Sequence, residues 1–426
     1  MSVSLLIARR LSLGRSVTGD PGSQRRSPAV TIAVAGIALS ISIMLITLAI
    51  VPGFKHHITR KVMGFDAQVT MQPVQPTSGY ESENNSIGVT YTAGLADMIA
   101  GVLPDGAKAE LTIRQPGILK TDNQFAGLVF KAFDSDMTDS FIAENLESGT
   151  IPDYSADSTL YHIVISRATA NALELSTGDR INGYFFNDNN LHTRRFTIAG
   201  IYNSHFNEYD KLLAFMSMDA ARRLSSLGSD QGSAIEIRGL DTDKIIPTRQ
   251  ALQQVATDAF YNNDTDCYLA VNDVYEQDPM YFNWLDLLDT NVIVILALMG
   301  CVAAVTLISC LFIMILERVR LIGTLKALGA DNGLIARVFL YMAERVVLRG
   351  ILIGDLVGLL LVWLQWQFRF IPLDPEAYYL NSVPVEFNWI GIIALNICAA
   401  LLALAIMIIP THTVARISPA KVMRFE

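Results

Sequence analysis

The chain has 426 residues, of which 51% are hydrophobic and only 17% charged, with a mean hydropathy of +0.35 and a formal net charge of −9. Soluble domains carry about 25% charged residues, and here the deficit is confined to a few long, nearly charge-free segments set in otherwise ordinary globular sequence. That pattern excludes a wholly water-soluble protein and fits an integral membrane protein with one large water-exposed domain.

The order along the chain follows from the apolar runs. Residues 1–27 form a basic N-terminal segment in which Val3, Leu6, Ile7 and Arg10 fall at helical spacing. Either an amphipathic helix lies flat on the inner leaflet there, or the segment is a disordered basic arm. The first span is 28–52, with Ser27 placed to cap it and Pro28 suited to its first turn. Its apolar run exceeds the ~7–15 residues of a signal-peptide core, so the segment is read as a retained anchor. The second span is 289–316, the third 338–368 and the fourth 389–410.

Basic residues set the orientation. Arg9, Arg10, Arg15, Arg25 and Arg26 precede the first span, and the 317–337 connection and the 411–426 tail are also basic. The positive-inside rule makes all three cytoplasmic. The segment 53–288 and the short loop 369–388 then lie outside. Between Gly53 and Asp289 there are 17 Lys+Arg against 32 Asp+Glu, a balance that argues against nucleic acid as a partner. The cysteines give no disulfide framework: Cys301, Cys310 and Cys398 fall inside spans and Cys267 is alone outside.

The fold class read from this is an α-helical membrane protein with four transmembrane helices plus a large α+β extracytoplasmic domain inserted between helices 1 and 2. Within that domain "HIVISRATANAL" passes from strand to helix with Ser166 as N-cap, and "RRFTIAGIY" and "SAIEIRGL" alternate as half-buried strands. Two subdomains are expected, one from the ends (53–108 and 233–285) and one from the middle. The amphipathic stretches "GFKHHITRKVMGF" and "VYEQDPMYFNWLDLLDTN" predict that the first and second helices continue beyond the apolar spans.

In the third span Gly350, Gly354 and Gly358 repeat every fourth residue, a face for close helix contact either within the protomer or across a dimer. Asp355 in the same span must face protein or water, since a carboxylate at bilayer depth costs ~2.5–3.5 kcal/mol on insertion scales. It serves a proton or ion relay, or hydrogen-bonds a neighbour such as Thr306 or Ser309.

Catalytic motifs are missing. The sequence holds no P-loop, no H-E-x-x-H and no nucleophile elbow, and its six histidines show no metal-ligand spacing. No metal, cofactor or enzymatic role is expected on this chain. One non-catalytic feature stands out, the connection "ERVRLIGTLKALGADNGLIARVF". Leu321, Leu325 and Leu328 share a helical face with Ile322 beside them, Gly329 is a natural stop, and Asp331 caps the next helix. Such a helix either rests on lipid or docks a cytoplasmic partner.

Those residues carry a family resemblance. "RVRLIGTLKALGA" closely resembles the coupling region of FtsX/MacB-type ABC permeases, and "VISRATANALELSTGDRINGYFF" is similar to the core of their outside domain. "IARRL…RRSPAVTIAVAGIALSISIMLITLAIVPGF" and "PLDPEAYYLNSVPVEFN" look like the lipoprotein-releasing branch, the LolC/LolE family. The resemblance implies a bacterial inner-membrane permease with both termini cytoplasmic and the large domain periplasmic. It implies an ATPase-coupling helix carrying Arg318, Arg320, Leu321, Gly323, Leu325, Lys326, Leu328, Gly329 and Ala330, which docks a separate cytoplasmic ABC ATPase holding ATP and Mg. It also implies a second permease copy or paralogue, a lipoprotein cargo drawn from among the membrane lipids, and a periplasmic lipoprotein carrier. The lipoprotein cavity is expected at Ile43, Thr47, Val51 and Phe54 with Leu287, Asn291 and Ile295. The family's carrier-contact hairpin loop corresponds to Asn187, Asp188, Asn189 and Asn190, a short stretch here. An FtsX-like signalling permease regulating cell-wall hydrolases, or a MacB-like efflux or stress permease, are the alternatives.

Overall fold

The computed structural model describes residues 28–74, 88–133, 137–154, 157–187, 190–225 and 227–415. The N-terminal segment 1–27 with its cap Ser27, the loop residues Asp188 and Asn189, and the tail 416–426 lie outside the described residues.

The elements run in chain order. Helix α1 is Pro28–Phe65, followed by β1 (Val69–Pro73), β2 (Val89–Thr90), α2 (Ala93–Val102), β3 (Lys108–Lys120), β4 (Phe125–Phe133), α3 (Met137–Glu144) and β5 (Leu146–Gly149). Then come β6 (His162–Ser166), α4 (Arg167–Leu173), β7 (Arg180–Asn187), β8 (Asn190–Tyr202), α5 (Asn207–Asp210), β9 (Leu213–Ser217), α6 (Met218–Ser225), β10 (Gln231–Gly232) and β11 (Ala234–Arg238). The rest is α7 (Ile245–Tyr261), β12 (Leu269–Asp273), α8 (Val274–Gln277), α9 (Pro279–Glu317), α10 (Val319–Ala327), α11 (Asn332–Phe368), α12 (Pro375–Tyr378) and α13 (Trp389–Ala415).

The chain divides into two compact units: one takes the chain up to His56, Trp284–Pro372 and the part from Ser382 on, the other His57–Asn283 and Leu373–Asn381. The first unit holds the four helices long and apolar enough to cross a membrane, α1, α9, α11 and α13. Helices α1 and α9 continue past the apolar windows as their amphipathic flanks predict.

Glycine decides how the membrane helices meet. A Cβ on Gly350 would come within 2.6 Å of Ile37, and one on Gly354 within 2.7 Å of Ile41 and 2.8 Å of the Ala38 carbonyl. The glycine stripe of α11 therefore seats α1 of the same protomer, which resolves the two readings of that face. The Ser42 hydroxyl adds a bond across this contact to the Gly354 carbonyl, at 2.8 Å. Between helices in lipid, such close approach and hydrogen bonding do what hydrophobic burial does in water.

Pro52 lies inside α1 and removes one helical donor. Beside it, the Glu386 amide donates to the Ala49 carbonyl at 2.9 Å, and a Cβ on Gly53 would meet the Glu386 nitrogen at 3.1 Å. The irregular segment around Val385–Glu386 thus lies directly on the helix at Pro52–Gly53. Gln365 of α11 ties down the same connection, donating to the Val383 carbonyl at 2.9 Å and accepting from the Ile371 amide at 3.1 Å.

The second unit is built on one ten-stranded sheet, in the order β12-β1-β11-β3-β4-β9-β6-β8-β5, with β7 pairing β3 and β8. Strands from the two chain ends (β12, β1, β11) gather on one side and strands of the middle on the other. The long β3 pairs with both sets, so a single sheet runs through what the sequence suggested as two subdomains. Strands β9 and β11 are buried along their whole length, as expected where both faces are covered. Ser166 caps α4 as expected, accepting from the Thr169 amide at 3.0 Å.

Candidate functional site

The 317–337 connection folds as a separate helix. Helix α9 ends at Glu317, Arg318 leaves helical geometry (φ −114°, ψ 14°), and α10 follows. Its end is a Schellman motif: the Ala330 amide donates to the Leu325 carbonyl at 2.9 Å and the Gly329 amide to the Lys326 carbonyl at 3.0 Å. Gly329 takes φ +86°, which a side chain would resist. Asp331 then caps α11, accepting from the Gly333 amide at 3.2 Å. Stop and start signals two residues apart thus fix a tight turn between two helices.

The buried face of α10 differs from the expected leucine face. Ile322 is fully buried and Gly323 is buried, while Leu321, Leu325, Lys326 and Ala330 are half-buried. Leu325 and Ala330 pack against the core of the membrane bundle that Ile322 joins. Leu328 is 79% exposed, so it does not share the face with Leu321 and Leu325. Leu328 is the C-cap residue at the exposed end of the helix, and Ile322 takes the anchoring position. Arg318 is half-buried. The exposed side of the helix is Thr324, Ala327, Leu328 and Gly329.

The residues expected to line a lipoprotein cavity are less gathered. Ile43, Thr47, Val51 and Phe54 are half-buried on α1, and Thr47 spends its hydroxyl on the Ile43 carbonyl at 2.9 Å. On α9, Leu287 and Asn291 are exposed and Ile295 is half-buried. The contact that joins the two helices there was not anticipated. Phe54 packs edge-on against Trp284 with centroids 5.7 Å apart, and Lys55 bridges Asp289 at 2.6 Å and Asp286 at 3.5 Å. Asp355 is also re-assigned: its Oδ2 accepts from Asn396 of α13 at 2.9 Å, while Thr306 bonds its own helix at the Val302 carbonyl.

In the second unit, β7 and β8 stay paired as far as Asn187↔Asn190. Only two residues separate the paired strand ends. Phe186 and Leu191, opposite one another in register, are exposed beside its end.

A buried charge network closes the far end of α1. Lys131 of β4, fully buried, donates to the Phe65 carbonyl at 2.6 Å, and Arg238 of β11 reaches the Met63 and Phe65 carbonyls at 3.1 and 3.3 Å. Cations at the carbonyl end of a helix satisfy its unpaired acceptors and its dipole. Glu236 binds Lys131 at 2.8 Å, Arg114 at 3.0 Å and Arg238 at 2.9 Å. Burial pushes the Glu236 carboxyl up, but these three cations outweigh it and hold it well below the usual carboxylate range. Arg114 also binds Asp66 at 2.6 Å, and Tyr209 bridges Asp66 and Asp278 at 2.6 and 2.9 Å. Burial, with the charge of Asp66 beside it, pushes Asp278 up to about 6. Its members lie far apart in sequence. The available signal was charge at inward positions of apolar strands, Lys131 in "LVFKAF" and Glu236 in "AIEIR".

Among the described residues no group of His, Cys, Asp and Glu is arranged to hold a metal ion. The chain thus combines four helices long and apolar enough to cross a membrane, a short separate helix between the second and third of them, and a large α+β unit. Residues 30–255 match the family model of the MacB-like periplasmic core domain, and residues 291–419 match the FtsX-like permease C-terminal family. The chain belongs to the FtsX/MacB-type ABC transporter permeases, a family of membrane-embedded permease subunits.

Among curated relatives, it is 21% identical to the lipoprotein-releasing system transmembrane protein LolC of Xylella fastidiosa, over 92% of this chain and 93% of that one. It is 23% identical to LolC of Neisseria meningitidis over 55% of this chain and 56% of that one. With LolE of Haemophilus influenzae it shares 24% identity over 33% of this chain and 35% of that one. Among solved structures, the periplasmic region of MacB from Actinobacillus actinomycetemcomitans aligns with a TM-score of 0.34 at 11% identity, covering 52% of this chain and 96% of that one. The extracellular domain of the transporter YknZ aligns with a TM-score of 0.32 at 15% identity, covering 48% of this chain and all of that one.

Proposed function

We propose that this chain is the permease subunit of an ABC transporter that extracts lipoproteins from the outer leaflet of the bacterial inner membrane and passes them to a periplasmic carrier. A separate cytoplasmic ATPase, carrying ATP and Mg, drives it by pushing on α10, and a second permease copy or paralogue completes the assembly. Both termini are cytoplasmic and the α+β unit periplasmic. The observation that carries the reading is the match to a LolC relative over 93% of that relative's length. The exposed Leu328 at the end of an anchored helix supports the docking part.

In this reading, closure of the spans squeezes an acylated cargo held along Ile43, Thr47, Val51, Phe54, Leu287, Asn291 and Ile295. Withdrawing acyl chains costs ~0.8 kcal/mol per buried CH₂, a load suited to repeated ATP-driven strokes. Release of lipoprotein into carrier from proteoliposomes tests the function. No release in the presence of ATP and the cognate ATPase would remove it. Leu328→Asp or Lys326→Glu is expected to leave the protein in the membrane while abolishing ATPase co-purification.

One observation favours the second reading. The β7–β8 hairpin has only two residues between its paired ends, a short hook for catching a carrier. A MacB-like mechanotransmission permease, or an FtsX-like regulator of cell-wall hydrolases, needs no such hook. ATP-dependent change in the domain without lipoprotein release would select it.

A further inference from the structure

The membrane bundle encloses a cavity of about 350 Å³ at mid-length of the four apolar helices. Its walls include Ile41 of α1, Gly300 and Ala304 of α9, Ile351 of α11, and Ala399 and Leu402 of α13. None of the seven residues expected to contact lipoprotein lines it. Gly300 differs from the glycines of α11: a Cβ there would meet nothing closer than the Leu402 side chain at 3.6 Å. This glycine therefore seats no neighbouring helix. It borders open space.

The chemistry of the wall selects the occupant. It carries no charged, amide or hydroxyl side chain, and the helix backbones behind it are internally bonded. A buried water needs two to four polar partners, and apolar cavities of about 150 Å³ stay dry yet take up apolar ligands. A void of this size left empty forfeits dispersion contacts on every side. Cys301, Cys398 and Leu402 both line the cavity and are exposed, so it opens laterally between α9 and α13. No group at that mouth could hold a headgroup or a peptide. The geometry points to a resident hydrocarbon ligand: one acyl chain of a bilayer phospholipid, inserted sideways between α9 and α13. Phospholipid chains surround the opening at far higher concentration than any cargo, and mass action favours them. The inference does not depend on lipoprotein release.

The full chain, reconstituted in nanodiscs of phosphatidylethanolamine and phosphatidylglycerol, is illuminated with a phospholipid bearing a diazirine midway along one acyl chain, and adducts are mapped by mass spectrometry. Adducts are expected to concentrate at Gly300, Cys301, Cys398 and Leu402 over the exposed control position Leu360. Gly300→Leu, and separately Ala399→Leu on the opposite wall, should abolish the cavity adducts and leave Leu360 labelling unchanged. Even labelling of cavity and control would overturn the proposal. So would cavity adducts undiminished in both filled variants. Cavity labelling seen only when the diazirine is carried by a lipoprotein would overturn the phospholipid as occupant.

Discussion

Helix α1 is fixed by two unlike means along its length. In its first half it lies with Ile37, Ile41 and the Ala38 carbonyl pressed on the glycines of α11, with no charged side chain in the contact. At its end two cations, Lys131 and Arg238, bond its last carbonyls, and Glu236 holds both together with Arg114. The difference follows from the two solvents. In lipid, apolar burial gives no drive between helices, so small residues and close approach hold them. In a water-facing domain, charge can be buried only when every member is partnered, and removing one partner strands the rest.

The sharpest break in this comparison is at Glu236. Replacing it with Leu removes the carboxylate that Lys131, Arg114 and Arg238 share, leaving Asp66 as the acid against buried cations, and should cost ~3–5 kcal/mol, read as a lower denaturant midpoint of the full chain in detergent. The glycine contact should respond to volume. Gly354→Val is expected to cost ~1–3 kcal/mol because its Cβ meets backbone and a branched side chain. Gly300→Ala should stay within about 0.5 kcal/mol. Equal effects at the two glycines would dissolve the distinction between seat and cavity.

Asp278 sharpens the polar half through pH. Its folded value near 6 lies above the ordinary carboxylate value, so the folded domain binds a proton that the unfolded chain releases. The stabilisation is complete below about pH 4 and is lost as pH rises through 6. Thermal unfolding of the wild type should therefore shift upward from pH 7 to pH 5. Asp278→Asn should remove much of that shift, leaving the part due to Asp210, which burial also pushes up to about 6. A local effect is expected at the end of α10. Gly329→Ala should cost ~1 kcal/mol through its left-handed φ, visible as faster hydrogen exchange at the Gly329 and Ala330 amides.

Local grammar was legible in the sequence. Ser166, Gly329 and Asp331 punctuate helices where their side chains, or the lack of one, require it. The glycine stripe was legible as a contact face, but its partner was not, because spacing on one helix says nothing of which helix answers it. The leucine face of α10 misled. Ideal periodicity continues through position 328, whereas Leu328 is the C-cap residue at the exposed end of the helix. The charge network draws on residues 66, 114, 131, 209, 236, 238 and 278, and only the sheet brings them together. The cavity had no sequence signal beyond small residues, since it consists of what α9 and α13 fail to fill.

The glycine seat has a consequence for packing. Gly350 and Gly354 receive the branched side chains of Ile37 and Ile41 and the Ala38 carbonyl with no space to spare, so α1 and α11 form the close-packed side of the bundle. The unfilled space lies on the other side, in the apolar cavity that α9 and α13 border, so a change of side-chain volume there is accommodated where one at the glycine seat is not.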